Sequence, residues 1–218
     1  MNDGPHSERQ PLLESSKAQD AEEEKTLGSI YSHPNVSLMW VLLAAMFFTA
    51  IPISIPAPFF PKFAADECGL SPEEIGWCFS VFPLTSLIMS PIIPYMIGIM
   101  GRSNLLASAV ALSAVSTVAF GLGTTLPTFL ISRMVMGVAC SAAMTCCTAT
   151  LALVFNEHPG EVFGLVEMTF GGAFMIGPPI GGALYVFFGE FWAPFVFTTM
   201  PALVIIPLGK RMIRCVYK

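Results

Sequence analysis

Charge is scarce in this chain. Only 11% of its 218 residues are Asp, Glu, Lys or Arg, where an average soluble domain carries about 25%. The scarcity is also uneven. Residues 1–36 hold three of the ten basic residues and seven of the fifteen acidic ones, and long uncharged stretches follow in a chain that is 54% apolar. Such a distribution excludes a soluble core of this length and points to repeated passage through a lipid bilayer. No basic patch with interleaved aromatics occurs, so nucleic acid is not an expected partner. Residues 1–36 lack the basic region and apolar core of a signal peptide. Rich in Glu, Ser, Lys and Gln, they read as a disordered acidic tail. Cysteine offers no C-x-x-C pair. Of Cys68, Cys78, Cys140, Cys146, Cys147 and Cys215, only Cys68 falls in a far-side loop, so no disulfide framework is expected. The adjacent Cys146 and Cys147 read as small packing residues. No His/Asp/Cys constellation supports an enzyme, and neither a metal nor a cofactor is expected.

What the chain does have is apolar length. A helix needs about 20 apolar residues to cross the hydrocarbon, and six runs meet that length: Leu38–Phe60, Ile75–Gly98, Leu105–Gly123, Thr128–Phe155, Val162–Phe188 and Phe191–Leu208. The expected organisation is a tail over 1–36, an all-α bundle of six transmembrane helices over 37–209, and a basic end over 210–218. With the N-terminus in the cytosol, Arg9, Lys17, Lys25, Arg102, Lys210, Arg211, Arg214 and Lys218 are all cytosolic and only Lys62 lies on the far side. The positive-inside rule favours that orientation.

The fifth run is unusual. Residues 171–185 hold five glycines and two adjacent prolines. Gly is costly in a helix in water, but in lipid small residues let helix backbones approach closely. Gly177 and Gly181 form a GxxxG pair, and Gly164, Glu167, Gly171, Pro178 and Gly182 fall along one side of the helix. Pro178 and Pro179 remove the donors that would bond the carbonyls of Phe174 and Met175. This face is therefore expected to pack against a neighbour or border a cavity. On residue types alone, a plain packing seam and a transport element fit equally well.

Gly171-x5-Gly177-Pro178-x2-Gly181-Gly182 resembles the fifth-helix antiporter motif of the major facilitator superfamily. Arg133-x3-Gly137, followed by Cys140, Ser141 and Ala142, resembles the fourth-helix Arg motif of the same superfamily. With Ala57-Pro58-Phe59-Phe60-Pro61-Lys62, the likeness is to the vesicular amine and polyamine transporter branch. It covers about residues 37–209, corresponding to the N-terminal six-helix half, a three-plus-three inverted repeat. Of the pattern between helices two and three, Gly101 and Arg102 remain, while Gly98 and Ile99 stand where Asp and Arg are usual.

Two ionisable residues lie within the runs, where such residues usually face a bundle interior or cavity. Arg133 and Glu167 are the candidates for the substrate and proton pathway. The bland alternatives are an Arg snorkelling to the interface and a Glu anchoring the helix near the headgroups. A desolvated carboxyl favours its neutral form, which would suit a proton-coupled carrier. In the tail, Glu8, Leu12 and Leu13 resemble an acidic dileucine sorting signal for a clathrin adaptor, favouring endosomal, lysosomal or secretory vesicle membranes. The resemblance implies antiport of a small organic cation, a monoamine or polyamine, into acidic vesicles in exchange for protons. It leaves the small-residue face, including Gly171, Gly177 and Gly181, without an intramolecular partner, to be met by a homodimer or a second six-helix half. The alternative is a non-transporting regulatory or truncated subunit that pairs with a full-length transporter.

Overall fold

The computed structural model describes residues 34–216. The sorting pattern at Glu8, Leu12 and Leu13 lies outside the described residues. Among them the regular elements are all helices: α1 Val36–Ser54, α2 Phe60–Asp66, α3 Pro72–Met89, α4 Ile93–Met100, α5 Arg102–Gly121, α6 Leu126–Val154, α7 Pro159–Phe188 and α8 Ala193–Val216. Four of these, α1, α5, α6 and α7, are each long and apolar enough to cross a membrane, and α3 with α4 makes a fifth when the bent pair is taken as one span. The 24-residue α8 occupies the place of the sixth apolar run.

Two of the expected continuous helices are interrupted, both by proline. The first run divides because Pro56, Pro58 and Pro61 crowd its end. α1 stops at Ser54, Ala57 N–H turns back to the Ser54 carbonyl at 3.2 Å, and α2 restarts at Phe60. The second run bends by 60° between α3 and α4. Pro91 and Pro94 lack the N–H groups that would carry the helix through. α3 itself begins three residues before the apolar run. Ser71 accepts from Glu74 N–H at 3.3 Å and its own N–H donates to Glu74 Oε2 at 2.8 Å, a complete capping box with Pro72 in the first turn. Gly101 joins α4 to α5 at φ +76°, a conformation L side chains rarely adopt, and Arg102 follows it half-buried at the start of α5.

Six segments result: α1 with α2, α3 with α4, then α5, α6, α7 and α8. The first packs on the fourth, fifth and sixth, the fourth on the second and third, and the third on the sixth. Exchanging one for four, two for five and three for six maps that set of neighbours onto itself. Three segments reverse the chain direction, so this is the signature of a three-plus-three inverted repeat.

The interior divides in two. At one end, aliphatic residues such as Leu38, Leu42, Leu105, Leu106, Cys147 and Val162 form a cluster. At the other, aromatic rings from every segment meet. Phe60 lies 5.7 Å from Phe79, 5.0 Å from Phe120 and 5.1 Å from Phe129, centroid to centroid. Phe63 stacks on Phe191 at 3.8 Å and Phe59 on Tyr185 at 4.8 Å. These rings cap one end of the bundle.

Candidate functional site

Gly177 lies against the end of α1 and Gly181 against Ile55, the residue that follows it. A Cβ added at Gly181 would sit 2.9 Å from the Ile55 carbonyl oxygen and 3.3 Å from its Cα, and one at Gly177 would meet the Ser54 hydroxyl and, at 3.3 Å, the Ile51 carbonyl. The Ser54 hydroxyl donates to the Ala173 carbonyl at 3.4 Å, tying the seam. The expectation that these two glycines lack an intramolecular partner is therefore corrected: the first segment is their partner, its backbone lying against theirs. Gly171 differs. It is exposed, and nothing of the chain lies within 4 Å of a Cβ placed on it. Pro178 and Gly182 are half-buried at the edge of the seam, with Pro58 Cγ 4.0 Å from a Cβ at Gly182. Phe174 and Met175, whose carbonyls lose their helical donors to Pro178 and Pro179, are exposed on the open side of α7.

Arg133, in the second turn of α6, is 2% exposed. Its guanidinium lies 4.4 Å from the Phe120 ring centroid and 5.7 Å from that of Phe79. Nη1 donates to the Ile53 carbonyl at 3.5 Å, while Nε and Nη2 have no partner. The charge thus sits beneath the aromatic cap, held by ring faces, the long hydrogen bond to Ile53 and a weak one from Nη1 to Met136 Sδ at 3.7 Å.

Below it runs a groove between α3, α6 and α7. Two adjoining hollows of about 400 Å³ and about 370 Å³ share Met144 and Thr145. Small residues bring α6 onto α3 beside it: a Cβ on Gly137 would lie 2.8 Å from the Phe82 carbonyl oxygen, and the Ser141 hydroxyl donates to the Ser86 carbonyl at 3.4 Å. The lining is apolar at Phe82, Leu87, Met144 and Phe170 and hydroxylic at Ser86, Ser141, Thr145 and Thr148. Helix threonines elsewhere bond back to the carbonyl four residues earlier, as Thr85, Thr117, Thr150 and Thr169 do at 2.6–2.8 Å. Among the described residues, Thr145 and Thr148 make no such bond, which leaves both hydroxyls available to a ligand.

Glu167 is exposed on α7 between Phe163 and Phe170, which line the two hollows. At 100° per residue it lies within about 60° of both along the helix face. It is therefore at the rim of the groove, level with Thr145 and Thr148. Arg133 lies beyond the groove's capped end. Counting from the α6–α7 turn, the two ionisable residues are about 20 Å apart along the helices, so the structure does not bring them together. Thr145 was missed in the sequence, although Ser141-x3-Thr145-x2-Thr148 is a polar stripe at helical spacing. The aromatic cap was missed too, because its rings come from turns far apart in the chain.

Residues 42–215 match the sequence pattern of the Major Facilitator Superfamily. The MFS-type transporter SLC18B1 of Rattus norvegicus is 32% identical over 164 residues, 72% of this chain and 35% of that protein. Multidrug resistance protein 1 of Bacillus subtilis (strain 168) is 30% identical over 69% of this chain and 38% of its own length. The synaptic vesicular amine transporter of Homo sapiens is 27% identical over 61% of this chain and 26% of its own length. The chain spans about a third of the length of the first two relatives. All-helical architecture, the exchange symmetry of its six segments and a match running through nearly all of them agree: this chain belongs to the Major Facilitator Superfamily.

Proposed function

We propose that this chain is the groove-bearing half of a proton-coupled antiporter that moves a small organic cation, a monoamine or polyamine, into acidic vesicles, with its N-terminus in the cytosol. The observation that carries the reading is the groove itself: apolar walls, two unbonded threonine hydroxyls and one carboxylate at the rim. Apolar walls suit the body of an organic cation, and Glu167 supplies a single negative charge that a proton or the cation can neutralise in turn. Competition for one carboxylate is the simplest way to couple two cations moving in opposite directions. Arg133 supports the reading from the other side. A fixed positive charge under the closed aromatic cap opposes passage of a cation beyond the groove until that end rearranges. The basic asymmetry of the loops supports the orientation, and the names of the vesicular relatives support the compartment.

The test is a fusion of this chain to the remaining part of rat SLC18B1, reconstituted in proteoliposomes. Amine uptake is expected under an acid-inside gradient, to stop on adding a protonophore, and to be lost in Glu167→Gln. Uptake that ignores the gradient would remove proton coupling, and uptake unchanged in Glu167→Gln would remove the carboxylate's role. The unfused chain is expected to form crosslinkable dimers with little uptake of its own.

The open side of α7, with its two donorless carbonyls, favours one second reading. There the chain is a subunit that covers this face by pairing with a full-length transporter. Co-purification with such a transporter and reduced uptake by it, with no uptake from the fusion, would establish that instead.

A further inference from the structure

Prolines remove helical donors in both the second and the fifth segments, a pair that the repeat exchanges. In the fifth the helix continues through Pro178 and Pro179. In the second the interruption is complete. Pro91 has no N–H for the Leu87 carbonyl, Pro94 has none for the Ser90 carbonyl, and Ile92 N–H turns to the Met89 carbonyl at 2.9 Å. α3 therefore ends in carbonyls without helical donors, at the negative end of its dipole. Such groups are tolerated at membrane depth only where protein or a polar ligand meets them.

The residues of this broken end line the groove. Ser86, Leu87 and Ser90 form one wall, and Ser141 and Thr145 face them from α6. Ser141 gives its proton to the Ser86 carbonyl, so its oxygen has only lone pairs left to offer. No acidic, basic or histidine side chain lines this hollow. Its polar groups are backbone carbonyls and the Ser86, Ser90, Ser141 and Thr145 hydroxyls, each of which can accept a hydrogen bond, and it is walled by Phe82, Leu87, Met144 and Phe170. Such a surface complements a group with several N–H donors, a positive charge and an apolar body. A quaternary ammonium has the charge and lacks the donors.

We propose that the broken end of the second segment, with Ser141 and Thr145, is an acceptor site for a primary ammonium head whose apolar body lies between Phe82, Leu87, Met144 and Phe170. The site rests on the organic-cation reading above and adds to it a choice between amines. About 400 Å³ is within the range of small-ligand pockets. Glu167 at the rim then serves the proton, and the head is read by oxygens that carry no full charge.

Equilibrium binding to the purified 218-residue chain in lipid nanodiscs tests it, with phenethylammonium against its N,N,N-trimethyl analogue, which keeps ring and charge and has no N–H. The primary amine is expected to bind about tenfold or more tighter, the value of one hydrogen bond to a charged group. Thr145→Val should erase that preference and Thr145→Ser should keep it, with thermal midpoints measured to show that both fold. Equal affinity for the two amines, or no saturable binding of either, overturns the proposal, as does a Thr145→Val chain that still prefers the primary amine. Binding needs no gradient. A chain that discriminates the two amines while its fusion takes up neither removes the transport reading and leaves the site, and a fusion that transports without discrimination does the reverse.

Discussion

At the scale of single residues, the glycines of the fifth segment separate into two kinds. Gly181 meets the backbone of Ile55, the residue that follows α1, which cannot move aside as a side chain can, whereas Gly171 meets nothing. In the purified chain Gly181→Ala is expected to cost about 1–3 kcal/mol by overpacking, and Gly171→Ala to be neutral or to add up to about 1 kcal/mol through helix propensity. Thermal unfolding in detergent distinguishes them, and equal shifts would mean that the seam with α1 is absent in solution. Arg133 offers a sharper case. Taking a guanidinium out of water costs several kcal/mol, against which stand a hydrogen bond to the Ile53 carbonyl at 3.5 Å, a weak one to Met136 Sδ at 3.7 Å and two ring faces worth about 2 kcal/mol each when desolvated. These nearly cancel, so Arg133→Met should leave the unfolding midpoint unchanged or slightly raised while abolishing transport by the fusion. A loss above about 3 kcal/mol would show that a counter-charge is present after all.

At the scale of elements, the sequence located helices well and their interruptions poorly. Apolar length alone marks all six runs, because in lipid every backbone polar group must be satisfied within the segment. The break at Ser90–Ile92 was not foreseen, although Pro91 and Pro94 stand in plain sight. A lone proline usually only kinks a membrane helix, and nothing in the sequence says which pair will break it. Likewise Ser71-Pro72-Glu73-Glu74 stands outside the second apolar run, although its spacing is that of a helix start. Ser71→Ala should cost about 1 kcal/mol and speed hydrogen exchange at Glu74 and Ile75, and unchanged exchange there would mean that the first turn is held by other contacts. Of the site, the residues that repel lipid, Arg133 and Glu167, were legible as types. Their separation was not, since depth along a helix is readable but the identity of the facing neighbour is not. Thr145 went unread because a hydroxyl in a membrane helix ordinarily hides its proton on its own backbone.

At the scale of the whole molecule, the proposed orientation places the aromatic cap, Lys62 and Cys68 together on the lumenal side and both chain ends on the other. An impermeant maleimide is expected to modify Cys68 only from the lumen and Cys215 only from the cytosol, and the converse pattern would invert the topology. The experiment should be run at alkaline pH as well as at neutrality. Burial first, and then the neighbouring Glu67 carboxylate, push the Cys68 thiol above its ordinary pKa. Its reactive thiolate is therefore scarce at neutral pH and grows as pH rises through the shifted value. Glu67→Gln should move that profile down in pH without abolishing the shift, since burial is the larger cause.

The aromatic cap also sets a schedule for biogenesis. Phe60, Phe79, Phe120 and Phe129 are synthesised early, yet Phe191 and Phe195, which close the cap against them, emerge only with the last segment. Until then the translocon releases five segments whose rings have no common roof, above a guanidinium that lipid will not solvate. Nascent chains stopped before residue 191 should consequently be retained by membrane quality control and degraded. Chains that extend past residue 195 should escape it, so a ladder of truncations would show a step in half-life at that point rather than a gradual rise with length.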